Sequence, residues 1–172
     1  EGTWGGSLMY DTPWGHHGTR ASISYSRNLV DIIDGAFKDF DMKANSNDVA
    51  LSITHPLHIT ELSKVDVFLE GHRKWSDTTY AGMALADNET RTIKAGISAR
   101  SFDENGLWFA MASVTGYKND NRIREEDNNG SYYSGYLMRR QNLPHDRYLL
   151  YRLYGQYTAF QELPSTEQFS LG

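Results

Sequence analysis

Apolar and polar side chains alternate one for one along much of this chain. Ala21, Ile23 and Tyr25 interleave with Arg20, Ser22 and Ser24; Val49, Leu51 and Ile53 interleave with Asp48, Ala50, Ser52 and Thr54. Val65, Val67 and Leu69 alternate with Asp66, Phe68 and Glu70, and Ile93, Ala95, Ile97 and Ala99 with Thr92, Lys94, Gly96, Ser98 and Arg100. Near the end Leu149, Tyr151, Leu153 and Tyr157 alternate with Leu150, Arg152, Tyr154 and Gln156. Successive side chains of a strand point to opposite faces, so this period marks strands with one apolar and one polar side. No segment carries a helical period. The pattern predicts an all-β chain of about eight antiparallel strands, near 3–10, 18–30, 45–56, 65–78, 91–102, 106–118, 131–140 and 147–160. Leu107 to Tyr117 is apolar on both faces. It is either a strand whose inward side packs on a plug or neighbouring element, or no strand at all.

The connections alternate in length. Short ones are Asp11 to His17, Leu57 to Lys64, Asp103 to Gly106 and Gln141 to Asp146; long polar ones cover about 31–44, 79–90 and 119–131. A soluble antiparallel sheet with one wet face also alternates, but it has no reason to sort its loops by length. Outer-membrane barrels do, with short periplasmic turns and longer extracellular loops. Reading the short set as periplasmic makes the first strand run inward and the eighth outward. The long loops hold Asp31, Asp34, Asp39, Asp41, Asp87, Glu89, Glu125, Glu126 and Asp127. Tyr10, Trp14, Trp75, Tyr80, Tyr117 and Tyr148 fall at strand ends, where aromatic girdles meet the membrane–water interface. The architecture expected is an antiparallel transmembrane β-barrel.

The polar face is basic at Arg20, Lys94, Arg100 and Arg152, which with Tyr154 and Gln156 are candidate lining of a water-filled lumen. These cations either set a positive field inside the pore or pair with Asp48, Asp66 and Glu70 to stiffen its wall.

Composition changes the picture little. Of 172 residues 13% are aromatic, including 11 Tyr and 4 Trp, which suits strands and interfaces. The mean hydropathy is −0.61, yet an average cannot see a face built from every second residue. No run approaches the roughly 20 apolar residues of a membrane helix. Pro13, Pro56, Pro144 and Pro164 fall in or beside connections. There is no Cys, and a net charge of −5 argues against a nucleic-acid partner. Adjacent His16 and His17 would point apart on a strand, and His55, His58 and His72 show no ligand spacing with carboxylates. No Gly-x-Ser-x-Gly elbow occurs. Neither an enzyme activity, a metal nor a cofactor is expected.

The segment Leu153 to Gly172, LYGQYTAFQELPSTEQFSLG, supplies Gly155, Gln156, Leu163, Ser165, Glu167, Gln168, Phe169 and Gly172. It is similar to a stretch of two-partner secretion transporters, the hemolysin-activator and filamentous-hemagglutinin transporters. There a Gly-Gln strand precedes a Leu-x-Ser-x-Glu-Gln-Phe-x-x-Gly-Gly signature. LMRRQNLPHD (Leu137 to Asp146) and ITHPL (Ile53 to Leu57) resemble turns of the same family. The resemblance implies an outer-membrane pore that passes an unfolded exoprotein of the hemolysin, hemagglutinin or adhesin type, in contact with outer-membrane lipid and lipopolysaccharide. It also implies that these are the middle eight of roughly sixteen strands, with 161–172 opening a long extracellular loop. Leu163, Ser165, Glu167, Gln168, Phe169 and Gly172 would form that loop's base; the plain alternative is a polar loop with one buried Phe. The family's plug helix, periplasmic domains, Arg-Gly-Tyr loop tip and closing strands are not in this sequence. Two rival readings are a self-contained small barrel that binds a ligand or modifies lipid, and a barrel-assembly relative.

Overall fold

The computed structural model describes residues 2–31, 42–123 and 126–158. Eight strands follow one another: β1 Thr3–Trp14, β2 Thr19–Asp31, β3 Met42–Ile59, β4 Ser63–Tyr80, β5 Met83–Asp103, β6 Gly106–Asn121, β7 Glu126–Leu143 and β8 Arg147–Thr158. Each pairs antiparallel with its successor, giving one sheet in the order of the sequence. β1 and β8 are its two edges, so among the described residues the sheet is open.

Register carries the two-faced pattern across every strand. Pro13, Arg20, Thr54, Phe68, Gly96, Ser113, Ser134 and Gln156 form one continuous row of paired residues. Paired residues share a face, so this row and its alternate neighbours form a single polar surface. The row one residue away is Thr12, Ala21, Ile53, Leu69, Ala95, Val114, Tyr133 and Tyr157, and it belongs to the apolar surface. The polar side is the more sheltered, with Thr115 2% and Ser113 7% exposed, while Leu153 and Ile93 on the other are 68% and 67% exposed. A water-soluble sheet has the opposite arrangement. An apolar face this large, with no described residue packed on it, is a surface for lipid.

The long polar loops expected at 79–90 and 119–131 are, in their described residues, mostly ladder. β4 and β5 continue to Tyr80 and Met83 and turn through Ala81 and Gly82, both at positive φ (49° and 78°), as a two-residue hairpin requires. β6 and β7 remain paired as far as Asn121 and Glu126. Asp87 and Glu89 therefore lie in β5, and Glu126 and Asp127 in β7. The cause is physical: beyond the membrane both faces of a strand meet water, alternation disappears, and a polar strand reads as a loop. Strands of 18, 21, 16 and 18 residues from β4 to β7 far exceed the roughly 9–11 needed to cross a bilayer. The region 32–41 lies outside the described residues. At the other end β1 runs on to Trp14, so Pro13 stands inside the strand, opposite Arg20 and one residue from its end.

Leu107 to Tyr117 is a strand, and its inward apolar residues have partners on the sheet itself: the Phe109 ring lies 5.9 Å from that of Tyr136. Two more aromatic rings cover glycines on the polar face. A Cβ at Gly96 would meet the Phe68 ring at 2.5 Å and the Ala112 carbonyl oxygen at 2.5 Å, and one at Gly130 would meet the Tyr117 hydroxyl at 2.7 Å. The ring fills the space the missing side chain leaves. Gly96→Val is expected to destabilise the folded sheet by about 1–3 kcal/mol through overpacking. The checking measurement is the unfolding midpoint in detergent, and a midpoint equal to wild type would contradict the close approach.

Candidate functional site

The polar face brings the candidate lumen residues together. Arg20 and Gln156 occupy the same paired row at opposite sides of the sheet. Lys94 lies one paired residue beyond that row's glycine, opposite Glu70, and Arg100 is paired with Lys64. Arg152 is opposite Met138 and Tyr154 opposite Tyr136. All six share one side.

Their ion pairs differ in part from those the sequence suggested. Lys94 Nζ stands 3.8 Å from Glu70 Oε2 and 5.5 Å from the centre of the Phe68 ring. Asp66 pairs with Lys64 at 2.7 Å, and Asp48 lies 3.6 Å from His72 Nδ1. Arg20 donates to Asp11 on β1, a partner that sequence order gave no reason to choose. Arg100 and Arg152 have no ion pair among the described residues. Serine ladders complete the wall: Ser22 and Ser52 hydroxyls are 2.8 Å apart, Ser113 and Ser134 2.7 Å. The face carries hydroxyls and both charge signs, and its apolar residues gather on β6 and β7 at Leu107, Phe109, Met111, Tyr136 and Met138. His16 and His17 lie within the β1–β2 turn, and no group of three metal-ligating side chains occurs among the described residues.

The girdle expected at strand ends is only half on the outer surface. Tyr10, Trp14 and Trp75 face outward, whereas Tyr80, Tyr117 and Tyr148 share the polar face, because each stands one residue out of step with its apolar neighbours. Outward places are taken instead by Trp4, Trp108, Tyr133, Tyr151 and Tyr157. At one border of the apolar face Arg73 stacks over Trp75, 4.7 Å from its ring centre; at the other Arg139 stacks over Trp108 at 4.9 Å. Arg139 also grips Asp103 with two N–H groups at 2.6 and 3.0 Å.

A charged cluster on the outward side was not expected. Arg73 and Arg91 are paired neighbours on β4 and β5, and both donate Nε–H to Glu89 Oε1 at 2.6 Å. Arg122 donates to Oε2 at 3.1 Å. Glu89 is 3% exposed. It lies two residues beyond Arg91, past the end of the apolar face, and the bonds from Arg73 and then Arg91 lower its pKa from 4.5 to about 2 despite burial. The sequence did carry one signal. Arg73 and Arg91 stand in step with outward Leu69 and Ile93, where a charge ends the lipid-facing run.

Leu163, Ser165, Glu167, Gln168, Phe169 and Gly172 lie outside the described residues.

Over residues 1–172 the chain matches the family described as haemolysin secretion/activation protein ShlB/FhaC/HecB. No curated protein matches it. Among solved structures it is similar to CdiB from Acinetobacter baumannii, with a TM-score of 0.65 and 15% identity, over 94% of this chain and 30% of that one. At that identity the likeness is one of fold, and the chain spans less than a third of the matched protein's length.

Proposed function

The chain belongs to the haemolysin secretion/activation protein family ShlB/FhaC/HecB, and from that premise we propose that its sheet is a sector of the wall of an outer-membrane secretion pore. The cargo is an unfolded exoprotein of the hemolysin, hemagglutinin or adhesin type, passed from periplasm to exterior in two-partner secretion. One observation supports this above all: a face carrying hydroxyls and paired charges runs across the sheet, backed by an apolar one on which no described residue packs.

An unfolded polypeptide in transit exposes its own apolar side chains, and an apolar wall would hold it. Serine hydroxyls and paired charges such as Lys94 with Glu70 keep the wall wet and let contacts be exchanged for water. No covalent step is required of the wall; the cargo's folding outside supplies direction. In lipid the open edges of β1 and β8 cannot keep unpaired N–H and C=O groups, so both pair with further strands of the same barrel. The motif Leu163 to Gly172 fits the base of an extracellular loop, with Glu167, Gln168 and Phe169 tethering it where it leaves β8.

The intact transporter in planar bilayers tests this reading. Lys94→Glu exchanges a cation for an anion beside Glu70, so it is expected to shift selectivity toward cations while the pore still opens. Absence of any conductance from the wild-type protein, or unchanged selectivity in the variant, would count against the pore or against this face as its lining.

A further inference from the structure

We propose that the outward rim of β5 and β6 is a binding site for a phosphorylated glycolipid of the lipid A type. Arg91 and Lys118 hold its phosphate, and an acyl chain lies in the groove beneath them. The inference rests on the outer-membrane reading above and adds the ligand of one place on the outer wall.

A groove of about 620 Å³ is lined by Arg91, Ile93, Gly116, Lys118, Asn129 and Ser131. Ile93 is paired with Gly116, and Gly116 with Ser131. Nothing lies within 4 Å of the position a Gly116 Cβ would take. A slot one side chain deep thus interrupts the apolar face directly beside two cations.

Charge is layered there. Arg73, Arg91 and Lys118 stand on successive strands at one register level, with side chains 50%, 51% and 45% exposed. The acids that hold them lie one step farther from the apolar face: Glu89 and Asp120 are more sheltered, at 3% and 21%, while Asp127, 3.3 Å from Lys118 Nζ, is 69% exposed. Glu89 fixes the Arg91 guanidinium through Nε–H alone, which leaves its remaining N–H groups for an acceptor in the lipid. Charge next to the apolar face is therefore positive, fixed and accessible, the complement of a phosphate attached to acyl chains.

Location narrows the ligand. This border is the one from which the ladders of β4 to β7 overhang. With the short turns periplasmic it lies in the outer leaflet, where the phosphate-bearing lipid is lipopolysaccharide. A glycerophospholipid offers the same group from a different source, and inorganic phosphate offers it without a chain.

The intact transporter, purified in nonionic detergent, is titrated with bisphosphorylated lipid A, with phosphatidylglycerol and with inorganic phosphate. Lipid A is expected to bind at least about tenfold more tightly than either. Arg91→Gln/Lys118→Gln is expected to weaken it by about thirtyfold, the effect of losing two lipid-adjacent cations. Gly116→Phe fills the slot with both cations intact and is expected to weaken lipid A but not inorganic phosphate. It decides the matter if the double variant fails to fold. Lipid A affinity within about twofold of wild type in a folded variant overturns the site, and equal binding of phosphatidylglycerol overturns the choice of ligand. Either result with normal conductance leaves the pore reading standing; loss of wild-type conductance strikes that reading instead.

Discussion

Ile97→Arg is expected to destabilise the folded barrel by about 2–4 kcal/mol, the effect of a guanidinium near the bilayer midplane. Ile97 is outward, paired with Val67 and Ala112, and 44% exposed. It lies six residues from Arg91 and four from Ser101, too deep for its head group to reach either interface without strain. Ser98→Arg, one residue on, faces the wet side opposite Asp66 and Met111 and is expected to leave stability almost unchanged while lowering conductance. Urea unfolding in lipid vesicles, read by heat-modifiable gel mobility, measures both. Equal stabilities for the two variants would mean that the faces have been misassigned.

Glu89→Gln is expected to cost about 1–2 kcal/mol, because it leaves the half-exposed Arg73 and Arg91 facing a neutral amide in place of their shared, sheltered carboxylate. The loss should be local to the hairpin of β4 and β5. The pH dependence has a definite sign. The native carboxyl titrates near 2 and the unfolded one near 4.5, so the unfolded chain takes up the proton first. The carboxylate's contribution is therefore full above about 4.5 and disappears as pH falls toward 2. In wild type the unfolding temperature should drop across that window, and in Glu89→Gln that part of the slope should vanish. Parallel pH profiles for the two proteins would remove Glu89 from the account.

What was readable in the sequence, and what was not, divides at the edge of the membrane. Between Thr19 and Tyr25, or Ile93 and Ala99, lipid on one side and water on the other force alternation, so strand, face and lumen candidates follow from the residues alone. Between Met83 and Glu89 no such asymmetry acts. The strand there is held by pairing with β4, which leaves no mark on either segment read singly. The Glu89 cluster was hidden for a related reason: Arg73 and Arg122 are 16 and 33 residues away, and register alone brings them together. The aromatic girdle shows the opposite error. Position near a strand end selected Tyr80, Tyr117 and Tyr148, but parity, already given by their neighbours, put them on the other face.

The stacked pairs Arg73–Trp75 and Arg139–Trp108 bound the apolar face above and below. On β5 the interval from Arg91 to Ser101, their paired neighbours, is about ten residues. At roughly 3.3 Å per residue and a tilt near 40°, that interval is about 25 Å tall. A hull with waterlines painted at two heights has only one depth at which it floats. Sinking or rising by a single side-chain repeat would drag Arg73, Arg91 and Lys118, or Arg139, into hydrocarbon. Opening such a channel by piston-like travel is therefore closed off, and whatever admits the cargo must move sideways or within the bore.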